Sequence, residues 1–247
     1  MKKFLIPNTP LYLSVKKVLL EAIHSGKLGE NGKLPSEEVL ARQFDVSRAT
    51  IRSTLQSLEK DGVVSRRHGI GTFLNAEGLQ IKMRIDEAKG FFQLIRESGR
   101  TPSIYETKLT RVVIDEQIGG LLNTPPNQKG ILLERLFLGD GKPAIFVSEY
   151  TPLTALIQEP KLKEVPESIF EFAENFCHDS IEYSITEIIP TKADAYLVKK
   201  MMLAQGEMLL KLEELHFNKM NQPMIFSNVY VKDRMIRFQV LRRRHQL

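Results

Sequence analysis

The sequence predicts an α+β protein in two parts: a helical head that closes with a basic hairpin, and a second part in which strands alternate with short helices. Three observations predict it. Before residue 62, apolar residues recur at helical spacing in three stretches. Two short β-prone runs then flank a turn that holds Gly69 and Gly71. From residue 105 onward, apolar–polar alternation recurs in segments separated by turn signals such as Gly139-Asp140-Gly141.

The head reads element by element. Residues 11–25 form a helix with Tyr12, Val15, Val18, Leu19 and Ile23 close to one face and Gly26 past its end. Residues 36–44 form a second: Ser36 can cap it, and Glu37 and Glu38 suit the positive end of its dipole. Leu40 and Phe44 share a face four residues apart. Asp45-Val46 makes a tight turn, and Ser47 caps a third helix over residues 48–61. There Ile51, Leu55 and Leu58 face inward, while Arg48 and Arg52 sit on another face at the N-terminal end. Gly62 ends the helix. Val63-Val64 start a strand, residues 65–71 make a basic turn, and Thr72-Phe73-Leu74 return. This order is that of a winged helix-turn-helix, whose second helix reads the major groove with its N-terminal end. Arginine suits that position, because its planar fork binds a guanine edge or a phosphate with two hydrogen bonds. An ordinary helical bundle with solvated arginines is the alternative. The capped turn, the glycine-flanked wing and the charge distribution weigh against it.

Charge is divided unevenly. The 247 residues carry a net charge of +5. Residues 1–75 hold 12 Lys+Arg against 7 Asp+Glu, and the remainder holds 23 of each. A basic module joined to a neutral one is the balance expected of a DNA reader with a separate sensing domain. The length suggests one to two domains. No apolar run reaches the ~18 residues that a membrane span needs. The start, MKKFLIPNTP, mimics a signal peptide, but its apolar patch is interrupted by Pro7, Asn8 and Pro10; export is rejected and a cytoplasmic protein expected. Cys177 is the only cysteine, so no internal disulfide can form, which fits a reducing compartment.

Residues 76–88 lack strong periodicity and read as a linker between a domain over residues 1–75 and another over 89–247. In the latter, residues 90–98 read as a helix, 105–114 as a strand, and 115–122 as a short helix closed by Asn123-Thr124-Pro125-Pro126. Residues 131–138 and 143–150 read as a hairpin about Gly139-Asp140-Gly141, and 166–176 as a helix. Residues 181–189 follow as a strand, then 191–202 as a helix capped by Thr191. Three closing strands are expected at 208–217, 224–231 and 235–241. Short connections between neighbouring strands make the sheet antiparallel.

These residues also carry a family resemblance. Residues 11–74, with LPSE, VSRATIR, L-x-x-L-x-x-DG and a closing G-x-GTF in register, strongly resemble the DNA-binding domain of GntR-family bacterial transcription regulators. Residues 89–247 resemble the UTRA effector domain of the HutC subfamily through AKGFFQLIRESGRTPS, ERLFLGDGKPA, ESIFEF and VLRRR. The resemblance implies a chorismate-lyase-like antiparallel sheet with flanking helices, a small-molecule pocket, and a homodimer on a pseudo-palindromic operator of double-stranded DNA. It places DNA contacts on Arg48, Thr50 and Arg52, and on the wing at Arg66, Arg67, His68, Gly69 and Gly71. Many relatives have an Arg where Glu38 or Val39 stands; Lys33 or Arg42 could offer a phosphate contact instead. For the effector it implies backbone N–H groups at Gly90, Phe91 and Phe92, with Arg135 and Ser168 holding an anion. A second Arg common in relatives is Phe137 here, and the family's acidic group near Val147 is missing. An anionic effector with apolar character is therefore expected.

Bland readings stand beside these. Arg135 shares a face with Leu133 and Phe137, and could instead be an arginine at a sheet edge paired with Glu134 or Glu149. Phe170 and Phe172 suit the core, although Phe170 is also a candidate pocket residue, and Tyr230 suits pocket or packing equally. His24, His68, His178, His216 and His245 show no ligand spacing, so no metal or other cofactor is expected. The function expected is a ligand-responsive repressor and not an enzyme. The alternatives are a chorismate-lyase-like enzyme, or a DNA-binding protein without an effector.

Overall fold

The structure, a computed structural model, describes residues 10–28, 32–81 and 83–242. The readings of the first nine residues, of Arg243 and Arg244, and of His245 lie outside them. The chain divides into two compact units: residues up to Arg84 joined by those from Gln239 onward, and residues 85–238.

The first unit holds α1 (Leu11–His24), α2 (Glu37–Gln43) and α3 (Arg48–Lys60), then β1 (Val64–Arg67), β2 (Gly71–Leu74) and α4 (Ala76–Gln80). The helices α2 and α3 start at side-chain caps. Ser36 Oγ accepts from Val39 N–H at 3.3 Å, and Ser47 Oγ from Thr50 N–H at 3.0 Å. Asp45 turns the chain between α2 and α3 with φ 50°. Val15, Leu19, Ile23, Leu40, Ile51, Leu55, Leu58 and Val64 pack into one core. Gly62 leaves α3 at φ +81°, where a Cβ would run into the Leu241 side chain. β1 and β2 pair antiparallel from Val64↔Leu74 to Arg67↔Gly71. Within the stretch of residues 76–88, α4 takes up the first five. Asn75 N–H donates to Val63 O at 2.8 Å, and its side chain to Gly62 O at 2.8 Å, which ties the start of α4 to the junction of α3 and β1.

The second unit holds α5 (Phe91–Glu97), β3 (Pro102–Val113), α6 (Glu116–Leu121), β4 (Lys129–Gly139) and β5 (Lys142–Pro152). After these come α7 (Ile169–Phe176), β6 (Tyr183–Lys192), α8 (Ala195–Met201), β7 (Met208–Phe217) and β8 (Pro223–Val231). The six strands form one antiparallel sheet in the order β3-β4-β5-β8-β7-β6. Asp140 and Gly141, both with φ > 0, close the β4–β5 hairpin as the sequence suggests. Alternation gives the sheet two faces. Ile131, Leu133, Arg135 and Phe137 of β4 point to the first, where Ile131 and Leu133 pack with α7 and Phe137 meets α5. Leu136 and Phe146 point to the second, against α8, and Tyr150 and Phe226 pack there with α6.

Three expectations are corrected. Residues 235–241 are not a strand; Gln239 makes only an isolated bridge to Arg84. The cause is topological: β8 already lies between β5 and β7, so the chain leaving it has no free edge beside it. Thr191 does not cap α8, because β6 runs on to Lys192, paired with Met208, and Asp194 caps the helix by accepting from Leu197 N–H at 2.8 Å. α7 begins at Ile169, after the Ser168 cap, and not at Pro166.

Candidate functional site

In the first unit, Arg48 and Arg52 are exposed on α3. Thr50 is half-buried, and its hydroxyl lies 2.8 Å from Ser47 Oγ, so it is held by the cap. The residue missed by sequence reasoning is Glu37. Read only as a dipole partner, its carboxylate takes Arg52 on one oxygen at 3.0 Å and Arg66 on the other at 3.0 Å. One carboxylate thus ties the reading helix to the wing. Arg66 N–H also donates to Glu59 at 3.1 Å. Arg67 lies over the Phe73 ring at 4.6 Å, and Lys33 over the same ring at 5.6 Å. His68 and Gly69 are exposed at the wing tip, where Gly69 (φ 71°) and Gly71 (φ 128°) adopt backbone conformations favouring glycine. Of the two residues offered as replacement phosphate contacts, Arg42 is held by Glu38 on its own helix, and Lys33 lies against the wing.

In the second unit, the structure brings most of the expected effector residues to the first face of the sheet. Gly90 precedes α5, and a Cβ there would touch Ser168 Oγ at 3.7 Å. Phe91 and Phe92 flank Phe137, with ring centroids 5.2 and 6.0 Å apart. Phe137 is fully buried beneath them. Arg135 is not at an edge. It lies on the second strand of the sheet and is buried, with Nη2 donating to both Glu149 oxygens at 2.8 and 2.7 Å. Nη1 donates to Pro166 O and Glu167 O at 2.9 and 2.7 Å. Its Nε, also buried, has no hydrogen-bond partner among the described residues. Burial pushes the Glu149 carboxyl up, while the Arg135 charge and hydrogen bonds oppose that rise. Tyr230 is not with this group. Arg135 pairs with Val147 and Val147 with Val229, so Tyr230, one residue on, faces the other side and stacks on Phe146 at 6.2 Å.

A cavity of about 540 Å³ opens on the first face, walled by residues 85–91, the start of α7, β6, β7 and Phe238. Of the expected effector residues, Gly90, Phe91 and Phe170 line it. Its polar wall was not foreseen. His216 is buried, with Ser184 Oγ 2.6 Å from Nδ1 and Ser227 Oγ 2.9 Å from Nε2. Burial lowers its pKa to about 4, so the ring is neutral. Beside it, Glu214 accepts from Thr186 Oγ1 at 3.3 Å. Burial raises its pKa to about 7; the Thr186 bond works against the rise and the Glu149 charge adds to it. The wall was hidden because β6 and β7 meet only after folding. Strand alternation places Ser184, Thr186, Glu214 and His216 on one face once the register is known. Cys177 is buried, its pKa pushed up to about 12, so it is an unreactive thiol. Among the described residues no group of His, Cys, Asp and Glu could hold a metal ion, and no helix is long and apolar enough to cross a membrane.

Comparison with known proteins adds independent findings. The family description "Bacterial regulatory proteins, gntR family" matches residues 11–74, and "UTRA domain" matches residues 97–236. The uncharacterized HTH-type transcriptional regulator YurK of Bacillus subtilis (strain 168) is 26% identical over 146 residues, which is 59% of this chain and 60% of that protein's length. The probable fructoselysine utilization operon transcriptional repressor of Escherichia coli (strain K12) is 26% identical over 242 residues, 95% of this chain and 96% of that protein. The crystal structure of the possible transcriptional regulator YydK from Bacillus subtilis superposes with a TM-score of 0.73 at 19% identity, covering 95% of this chain and all of the other, a likeness of fold.

Proposed function

Since the chain belongs to the GntR family of bacterial regulatory proteins and carries the UTRA domain, we propose that it is a ligand-responsive transcription regulator: a cytoplasmic repressor whose dimer leaves a pseudo-palindromic operator when a small molecule fills the cavity of the second unit. The family is one of regulators, which sets aside the lyase-like enzyme. One observation carries the DNA half of the reading: Arg48 and Arg52 are exposed on the first turns of a capped helix, and Glu37 joins Arg52 to the basic wing. Two such heads in a dimer would meet half-sites about one helical turn apart. A relative spanning nearly the whole chain is named a repressor, which supports repression over activation.

The effector half is supported by the cavity. Such a ligand acts by binding the DNA-incompetent arrangement better than the competent one. The expectation of an anionic effector rests on Arg135 and the start of α5. Glu149 already neutralises Arg135, so an anionic group would reach only the unpartnered Nε without displacing that carboxylate.

Selection from a random duplex library with the full chain tests the reading. The recovered sequences are expected to share an inverted repeat. A pool that stays random after repeated rounds would remove specific DNA recognition from the account.

A further inference from the structure

The cavity on the first face has an electrostatic character that the resemblance does not suggest. Among the described residues its one lining cation is Lys89, engaged by Glu87 at 3.0 Å and Glu97 at 2.9 Å. Arg135 and Glu149, which do not line it, are paired with each other. Glu214 is different: it lines the cavity, is mostly shielded from solvent, and its one hydrogen bond comes from the neutral Thr186 hydroxyl. Among the described residues the only basic group within 4.0 Å of it is His216, which burial keeps uncharged. The other charged groups that line the cavity are Lys89, held as above, and Asp86, Glu87 and Glu182, all acidic; the Glu149 carboxylate adds its charge, and Lys211 of β7 lies on the opposite face of the sheet, over Tyr230. A carboxyl without a counter-ion at the wall of a cavity is costly to ionise, and a ligand cation removes that cost.

We propose that the cavity takes a ligand carrying a protonated amine, with its ammonium on the Glu214 carboxylate and the Ser184 and Thr186 hydroxyls, and its apolar body among Phe91, Phe170 and Phe238. The proposal rests on reading this cavity as the effector site. An ammonium has three donors and no acceptor, which matches a carboxylate and two hydroxyl oxygens with free lone pairs. The three rings suit an aliphatic or aromatic body. Burial holds the Glu214 carboxyl of the protein alone at a pKa of about 7, so it is mostly protonated at pH 6 and mostly ionised at pH 8. A primary amine stays charged across that interval, so its affinity rises about tenfold from pH 6 to pH 8.

The test compares 2-phenylethylamine, 2-phenylethanol and 3-phenylpropanoate, matched in body and differing in charge, by saturation-transfer NMR titration on the full chain and on Glu214→Gln. At pH 8 the amine is expected to bind wild type at least tenfold more tightly than the alcohol, and the carboxylate most weakly. Glu214→Gln brings the amine to within about twofold of the alcohol, and a thermal melt of the variant with a transition as cooperative as wild type shows it to be folded. Equal binding of all three, or an amine preference that survives Glu214→Gln, would leave the cavity a ligand site and overturn the amine. Binding of none at millimolar concentration would overturn both the amine and the cavity as effector site.

Discussion

Replacing Arg135 by Met is expected to unfold the second unit more readily, and the structure sets the size of the effect. The two side chains of the Arg135–Glu149 pair are 0% and 1% exposed, and two hydrogen bonds of 2.7 and 2.8 Å join them. Removing one partner of such a pair strands the other charge without water, at about 3–5 kcal/mol. The carbonyls of Pro166 and Glu167 also lose their shared donor, which puts Arg135→Met toward the upper end. The stranded group differs in the two single variants. After Arg135→Met, Glu149 can protonate, so the loss is smaller at pH 5 than at pH 8, because its folded pKa rises above the unfolded one. After Glu149→Gln, the stranded group is the Arg135 guanidinium, and the loss is the same at both pH values. Replacing both with Met and Leu removes charge and partner together, and should return stability to within about 1–2 kcal/mol of wild type. Calorimetry of the full chain resolves this, since the transition of residues 85–238 should move and that of the first unit should not. Single variants within about 1 kcal/mol of wild type would refute the reasoning. The same logic shows why truncating Arg135 alone is a poor probe of effector contact: it confounds lost binding with lost structure.

Further outcomes follow from the other environments. Arg67→Ala should lower the salt dependence of DNA binding by about one counterion, whereas Arg66→Ala lowers it less because Glu37 already compensates that charge; affinity against salt concentration decides it. Gly62→Ala should destabilise the first unit by more than about 1 kcal/mol, since φ is +81° and the new methyl meets Leu241; a thermal melt reads it. Glu214→Gln should stabilise the free protein at pH 8 by about 3 kcal/mol. A folded pKa of about 7, raised by burial, makes ionisation costly above that pH, and the gain vanishes below the unfolded pKa near 4.5, which melts across pH reveal.

Much of the first unit was legible because its signals are local. Ser36, Ser47, Asp45 and Gly62 each act within a few residues of themselves, and they bound α2 and α3 to within a residue or two. The second unit was legible as strands and turns but not as a site. The bulge between Phe137 and Leu138 shifts the β4–β5 register, so that Leu133 pairs with Glu149 and Arg135 reaches it diagonally. No spacing along the chain reports that shift. Residues 235–241 misled for a related reason: Ile236, Phe238 and Val240 alternate like a strand, but a strand needs an edge, and only the sheet order shows that none is free beside β8. Glu37 joins Arg52 and Arg66 across 15 and 29 residues, which local reading assigned to a helix dipole alone.

The most direct test of the account's centre is the affinity of the full chain for its selected duplex, measured by fluorescence anisotropy at fixed salt beside a random duplex, for wild type and for Arg48→Ala. The account predicts a loss of about 1–3 kcal/mol on the selected duplex, roughly five- to 150-fold, and little change on the random one, as befits a base contact made by an exposed arginine at the start of α3. Equal affinity of the variant and wild type for the selected duplex would contradict it.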